Sequence, residues 1–253
     1  MNPISEKTDL PGPQAPSRRR FLVTTIAALP VAGGLGACGA HDGAASASSP
    51  GGGATEAGGE GAPYQPSFFK PAEWRCLQAA VDRLIPADAE GPGALELDVP
   101  VFIDRQMETG FGHAADWYMR GPFVHEVPAL SGYQSPMTPR EVYRTGLAAL
   151  DAHCRAQFGG QDFAAQSHAR QEALLHAMDA GTLKFDSTSA ARFVGLLWQN
   201  TREGYFADPI HGGNKGAGSW KMIGFPGARA DFTDWVDQPG KAYPLGTVTI
   251  AGT

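Results

Sequence analysis

Three residues near the carboxyl end have the types that acid–base or metal chemistry needs: Glu203, Asp208 and His211. Two carboxylates and an imidazole can pass a proton or share a cation once a fold gathers them. They stand in the run Thr201-Arg202-Glu203-Gly204-Tyr205-Phe206-Ala207-Asp208-Pro209-Ile210-His211-Gly212-Gly213-Asn214. A second run follows, Trp220-Lys221-Met222-Ile223-Gly224-Phe225-Pro226-Gly227. The same residue types also have plainer uses. Asp208-Pro209 makes turns, Gly212-Gly213-Asn214 permits positive φ, and Glu203 can accept hydrogen bonds from loop backbone. We favour the structural or partner-contact use, with Glu203, Phe206, Asp208, Gly212, Gly213, Asn214, Trp220, Lys221 and Phe225 as candidate contact residues. An autonomous acid–base or metal group of Glu203, Asp208 and His211 is the alternative. Lys221 can meet an acidic partner group, although such a stem more often packs while its charge stays in solvent.

Other chemistries lack their signatures. No GxGxxG run follows a strand, so no dinucleotide fingerprint is expected, and no GxSxG nucleophile motif is present. No CxxC or Cys/His cluster has metal or haem spacing. Beyond Cys38 only Cys76 and Cys154 occur. They could pair in an oxidising compartment, remain buried thiols, or bridge to another subunit, and spacing does not separate these. Cys154 stands on an apolar stripe, which favours the core. His113, His125, His153, His168 and His176 share no spacing. Asp82, Arg83, Asp88 and Asp104 could form ion pairs holding the first two helices together. No cofactor and no metal are expected in this chain.

The elements that must carry the candidate residues read as helical. Trp74, Leu77, Val81 and Leu84 recur at helical spacing between Phe69 and Ile85, with Pro71 in the first turn and Pro86 as the stop. Asp98 can cap a helix with Val99, Phe102, Ile103 and Gln106 on one side, ending near Gly110. Residues 110 to 136 read as a long loop. Thr138-Pro139-Arg140-Glu141 is a capping-box pattern, and behind it Tyr143, Leu147, Leu150 and Cys154 form one stripe. A fourth helix starts near Ser167, carries Leu174, Leu175 and Met178, and closes at Gly181. The fifth opens at Ser187 or Ser189, presents Phe193, Leu197, Asn200 and Thr201, and ends at Gly204. Only Thr247-Val248-Thr249-Ile250 alternates like a strand. The fold class expected is mainly α: a small domain of about five helices with a long irregular C-terminal segment from Tyr205. That segment contains Trp220, Phe225, Phe232 and Trp235, which a disordered tail would lack. Ordered aromatics on an irregular segment suggest a surface covered by another protein.

The amino end is of another kind. Ser17-Arg18-Arg19-Arg20-Phe21-Leu22 resembles the twin-arginine export consensus, with Arg18 and Arg19 as its pair, and the apolar run continues to Leu35. A membrane span needs about 20 predominantly apolar residues, and this run is shorter and interrupted by Pro30, Gly33 and Gly34. Leu35-Gly36-Ala37-Cys38 resembles a bacterial lipobox, which makes Cys38 the expected lipidation site. Residues 39–66 are nearly all Gly, Ala, Ser and Pro and cannot bury enough apolar surface to order themselves; they read as a flexible tether. A lipidated amino terminus with more than one chain would hold stably to a membrane. The organisation expected is therefore a signal over 1–38, a tether over 39–66 and a folded domain over 67–253, periplasmic and lipid-anchored. The formal charge is −6, and the leader holds more basic than acidic residues, so the folded part is more acidic still. Such a domain repels phosphate backbones, which argues against nucleic acid.

Asp82-Arg83-Leu84-Ile85-Pro86-Ala87-Asp88, Gly93-Ala94 and Val101-Phe102-Ile103-Asp104 form a first motif block. Leu150-Asp151 with the helix through Leu174-Leu175 forms a second, and the two C-terminal runs quoted above form the third. Together they resemble the gluconate 2-dehydrogenase subunit 3 family over most of residues 68–253. The resemblance implies a non-catalytic small subunit beside a large flavoprotein of the glucose–methanol–choline type, often with a multihaem cytochrome c subunit. The large subunit of such a complex holds FAD and dehydrogenates a sugar or sugar acid; haem c belongs to the third chain. The small subunit carries the twin-arginine signal, and its partner, lacking one, is carried across with it. His211 departs from the family, which commonly has an aromatic there. The lipobox and long tether are additions to the pattern.

Overall fold

The computed structural model of the protein describes residues 63–124, 135–186 and 188–252. The export signal, Cys38 and the tether up to residue 62 lie outside these. Five helices of nine residues or more and one short helix make up the body: α1 Pro71–Leu84, α2 Val99–Met107, α3 Pro139–Gln157, α4 His168–Asp179, α5 Ala190–Phe206 and α6 Gly218–Ile223. No strand occurs among the described residues. Thr247–Ile250 contributes only isolated bridges, Gly227 with Val248 and Thr249 with Gly252.

α5 is the axis, and α1, α2, α3 and α4 all pack against it. The stripes read from sequence are the packed faces. Tyr143, Leu147, Leu150 and Cys154 of α3 are buried, as are Leu174, Leu175 and Met178 of α4 and Phe193, Leu197, Asn200 and Thr201 of α5. Burying each Leu or Phe contributes about 1.5–3 kcal/mol, which outweighs the weak intrinsic helix propensity of Val, Phe and Thr. Gly146 lets α3 approach α5 closely; a β-carbon there would collide with the Phe193 ring.

Two helix starts follow the local signals and one does not. Thr138 and Glu141 form the capping box, Thr138 N donating to Glu141 Oε2 at 2.7 Å, and Ser189 Oγ accepts from Arg192 N. Asp98 does not cap α2 with its side chain. It stands at φ 53°, whereas a side-chain cap needs extended backbone, and its carboxylate instead meets Lys215 Nζ at 3.0 Å.

The expected ion pairs between the first two helices also resolve differently. Arg83 pairs with Asp82 and reaches Glu172 of α4 at 3.8 Å. Asp88 accepts from Glu90 N in a turn. Asp104 is fully buried and accepts from five donors where the chain enters the body. These are Tyr64 Oη, Ser67 N and Ser67 Oγ on Oδ2, and Phe68 N and Phe69 N on Oδ1, all at 2.7–3.0 Å. A short polar residue beside an apolar stripe thus fixes six residues of backbone and brings Phe68 and Phe69 into the core. Arg144 completes the fastening, with Glu73 at 2.9 Å and its guanidinium 4.2 Å over the Phe68 ring.

Cys76 and Cys154 are both buried free thiols. Burial, then the neighbouring Asp151 carboxylate, pushes the Cys76 thiol well up and the Cys154 thiol to about 11.

Candidate functional site

The two C-terminal sequence runs fold into one connected region at the end of α5. Tyr143 Oη donates to Asn200 Oδ1 at 3.0 Å, and Asn200 Nδ2 donates to Glu203 Oε2 at 2.8 Å. Gln199 Nε2 takes the other Glu203 oxygen at 2.8 Å. Both oxygens of Glu203 are therefore engaged along its own helix. Burial, and secondarily the charge of Glu203, holds the Tyr143 phenol well above its ordinary range.

α5 runs two residues past the expected stop at Gly204. That glycine is where the helix passes Phe102 of α2: a β-carbon would come within 2.7 Å of the ring. Tyr205 then donates to the Pro92 carbonyl at 2.7 Å, tying the helix end to the loop before α2.

Asp208 terminates the helical path and starts a 3-10 turn, Pro209–His211, by accepting from Ile210 N at 3.0 Å. Its other oxygen accepts from Ile250 N at 2.8 Å, across 42 residues of sequence. Gly212 sits at φ 102°. Gly213 lies against the Gly204 carbonyl, where no β-carbon fits. Asn214, fully buried at φ 47°, then holds the loop from inside. Its Nδ2 donates to Ala207 O at 2.9 Å, and its Oδ1 accepts from Ser219 N and Ser219 Oγ at 2.9 and 2.8 Å. That last pair sets the start of α6. Trp220 Nε1 donates to Phe206 O at 2.8 Å, and its ring meets Phe225 edge to face at 5.1 Å.

The nine predicted contact residues therefore divide. Asp208, Gly213, Asn214 and Trp220 are buried and shape the region, with Gly212 half-buried beside Arg105. Glu203, Phe206, Lys221 and Phe225 are on the outside. Three residues that sequence reading passed over join them: Ile210, Ile223 and Ile250. Together with Phe206 and Phe225 these are between 41 and 64 % exposed. Ile210 and Ile223 could have been noticed as large aliphatics in Gly-rich runs. Ile250 stands in the strand-like run Thr247–Ile250, whose alternation gives no hint of its link to Asp208.

His211 is exposed on the 3-10 turn; its backbone amide donates to the Asp208 carbonyl at 3.0 Å, and among the described residues no side-chain hydrogen bond joins its ring to Glu203 or Asp208. Among the described residues no three His, Cys, Asp or Glu side chains stand close enough to share a metal ion. What the geometry offers is an apolar surface on a stiff, internally bonded frame. The frame uses polar side chains to satisfy backbone groups that an irregular chain leaves open.

The model of the gluconate 2-dehydrogenase subunit 3 family matches residues 71–227, from the start of α1 to Gly227, two residues beyond Phe225. The chain belongs to that family. The subunit 3 match covers both the helical bundle and the bonded loop, so frame and bundle are one family unit. Its name is that of a subunit of gluconate 2-dehydrogenase, an oxidoreductase complex, and implies association with the complex's other subunits. No curated protein and no solved structure matches the chain.

Proposed function

We propose that this chain is the non-catalytic small subunit of an exported, FAD-dependent sugar or sugar-acid dehydrogenase whose large subunit is of the glucose–methanol–choline type. Its work is to stabilise that flavoprotein, to accompany it through the twin-arginine route, and to attach it to a membrane through Cys38. FAD belongs to the large subunit, and haem c to a cytochrome subunit where one is present.

One observation carries the reading. In the two C-terminal runs Asp208, Asn214, Ser219 and Trp220 face inward and spend their polar groups on bonds within the chain, while Phe206, Ile210, Ile223 and Phe225 face outward. A catalytic site needs polar groups directed at a reacting molecule; a docking site needs apolar anchors on a preorganised frame. No helix of the described residues is long and apolar enough to cross a membrane, so attachment is assigned to the lipid on Cys38.

The test is purification of the chain from its native membrane. A flavin absorbance band should co-elute with it, and Cys38→Ser should move both proteins to the soluble fraction. Replacing Arg18 and Arg19 by Lys should retain both in the cytoplasm. Recovery of the chain alone, without flavin, would sink the proposal.

A further inference from the structure

Residues 228–252 lie beyond the matched span, which ends at 227. Not one of them is buried, yet they follow a fixed path. The Tyr243 ring meets Phe232 and Trp235 edge to face at 5.5 and 5.7 Å, and the Arg229 guanidinium lies 5.1 Å over it. Trp235 Nε1 donates to Lys241 O at 3.2 Å. These contacts close residues 229–243 into a lobe of their own.

The chain then returns to the family frame. Thr247 Oγ1 donates to Phe225 O at 3.0 Å, Val248 N to Pro226 O at 3.2 Å, and Ala228 N to Val248 O at 2.8 Å. Gly227, at φ 84°, has no space for a β-carbon because the Val248 carbonyl occupies it. Finally Ile250 N reaches Asp208. The amides of Ile210 and Ile250 thus hang from the two oxygens of one carboxylate, and both side chains point to solvent. Leu245, 55 % exposed, stands two residues before the Thr247 contact.

We infer that this extension is a second half of the docking face, and that the flavoprotein subunit seated on Phe206 and Phe225 also covers Leu245 and Ile250. The inference rests on the function proposed above. Continuity supports one occupant: a single carboxylate joins the two halves, so a rigid partner meeting Ile210 meets Ile250 as well. Charge supports a protein rather than a lipid occupant. The lobe exposes Asp231, Asp234 and Asp237 at every third position against Lys241 and the ring-stacked Arg229; this slightly acidic balance gives an anionic lipid surface no basic cluster to hold and fits an apolar patch with a basic rim. A segment with four exposed large aliphatic or aromatic residues and no buried one gains its packing only when covered.

The experiment uses the full chain co-expressed with its flavoprotein subunit and reads flavin absorbance per chain after affinity purification. The pair Leu245→Asp and Ile250→Asp should leave helical circular dichroism unchanged and lower retained flavin by about tenfold or more, as hot-spot loss does. The pair Phe206→Asp and Phe225→Asp should do the same. Loss with the second pair but not the first overturns the extension's role and leaves the small-subunit reading standing. Retention with both overturns both. A free chain that is dimeric, and becomes monomeric with the first pair while flavin is retained, assigns the extension to a second copy and overturns the inference. Asp237→Lys touches no apolar contact and guards against a folding defect: it should weaken flavin retention several-fold at low salt, and unchanged retention counts against the inference.

Discussion

The helical bundle and the C-terminal third solve opposite problems. In α1 to α5 apolar side chains point inward at helical period and the backbone satisfies itself. From Ala207 onward the backbone has few regular partners, so Asp208, Asn214, Ser219 and Trp220 supply them from inside, and Ile210, Ile223, Phe225, Leu245 and Ile250 are left outside. A region that spends buried polar side chains on its own backbone and leaves large apolar side chains outside suits a contact better than a free surface. On the proposed function, stability lies in the first region and recognition in the second.

The two regions should fail differently when cut. Phe193→Ala removes a fully buried ring between α3 and α5 and should cost about 3–5 kcal/mol, read as a lower urea midpoint. Asp104→Ala comes next. It strands five donors at the start of the body, two of them the buried amides of Phe68 and Phe69, and should cost about 3 kcal/mol. Asp104→Asn, keeping two acceptor positions on one oxygen, should recover part of that loss; equal loss from both variants would mean the clamp is not held by hydrogen bonds. Asn214→Ala should cost about 1–3 kcal/mol, since Ala207 O and the Ser219 amide lose their partner inside the fold. Its sharper readout is local: hydrogen exchange should quicken over residues 207–220 while α3 stays protected. Uniform loss of protection would erase the distinction between the two regions.

How much of this was legible depended on period and range. The stripes of α3, α4 and α5 repeat every three or four residues, and each repeat turned out to be packed. The capping box at Thr138 was legible because both halves lie within four residues. Asp98 looked equally good as a cap and was not one, because capping depends on a backbone angle that residue type does not display. α6 has six residues, too few for a period to show, and its first turn is set by Asn214, five positions before the Ser219 it binds. Asp104 was visible only as a charged residue on a helix, and its five donors lie 35 to 40 residues away. The site segment was found by its residue types, but which of those residues face out is decided by the path of the chain. Trp220 is inside because its indole N–H finds the Phe206 carbonyl, and nothing local to Trp220 says so.

Alkaline pH separates the regions more gently. Burial raises the thiols of Cys76 and Cys154 in the bundle, and burial with the Asp104 hydrogen bond raises the Tyr64 phenol to about 12. Each group is bound to its proton more tightly in the folded chain than in the unfolded one. Their contribution is therefore full below the ordinary values of 9.0 and 10.0 and is lost as pH rises toward about 11 for Cys154 and about 12 for Tyr64. Urea midpoints should be unaffected by these groups near neutrality and should fall progressively as pH rises through 9.0 and 10.0. Tyr64→Phe should flatten the later part of the fall, and an unchanged slope would exclude Tyr64 as its source. The thiols should resist alkylation at pH 8 until the bundle unfolds, because thiolate is scarce and access is closed.

The smallest effect on stability should come from the exposed residues of the proposed docking face. Ile223 is 57 % exposed at the end of α6. Ile223→Ser should change the urea midpoint by no more than about 0.5 kcal/mol equivalent, as surface substitutions do. On the proposed docking face the same change removes an apolar anchor and should weaken retention of the flavoprotein about tenfold, or 1.4 kcal/mol. A solvent-facing isoleucine elsewhere gives neither effect, and a buried one gives both. Only an uncovered contact residue gives near-neutral folding with weakened assembly. If Ile223→Ser instead destabilised the chain by 2 kcal/mol or more, roughly a core-sized loss, α6 would belong to the bundle rather than to the recognition surface, and the division between the two regions would have to move to Gly224.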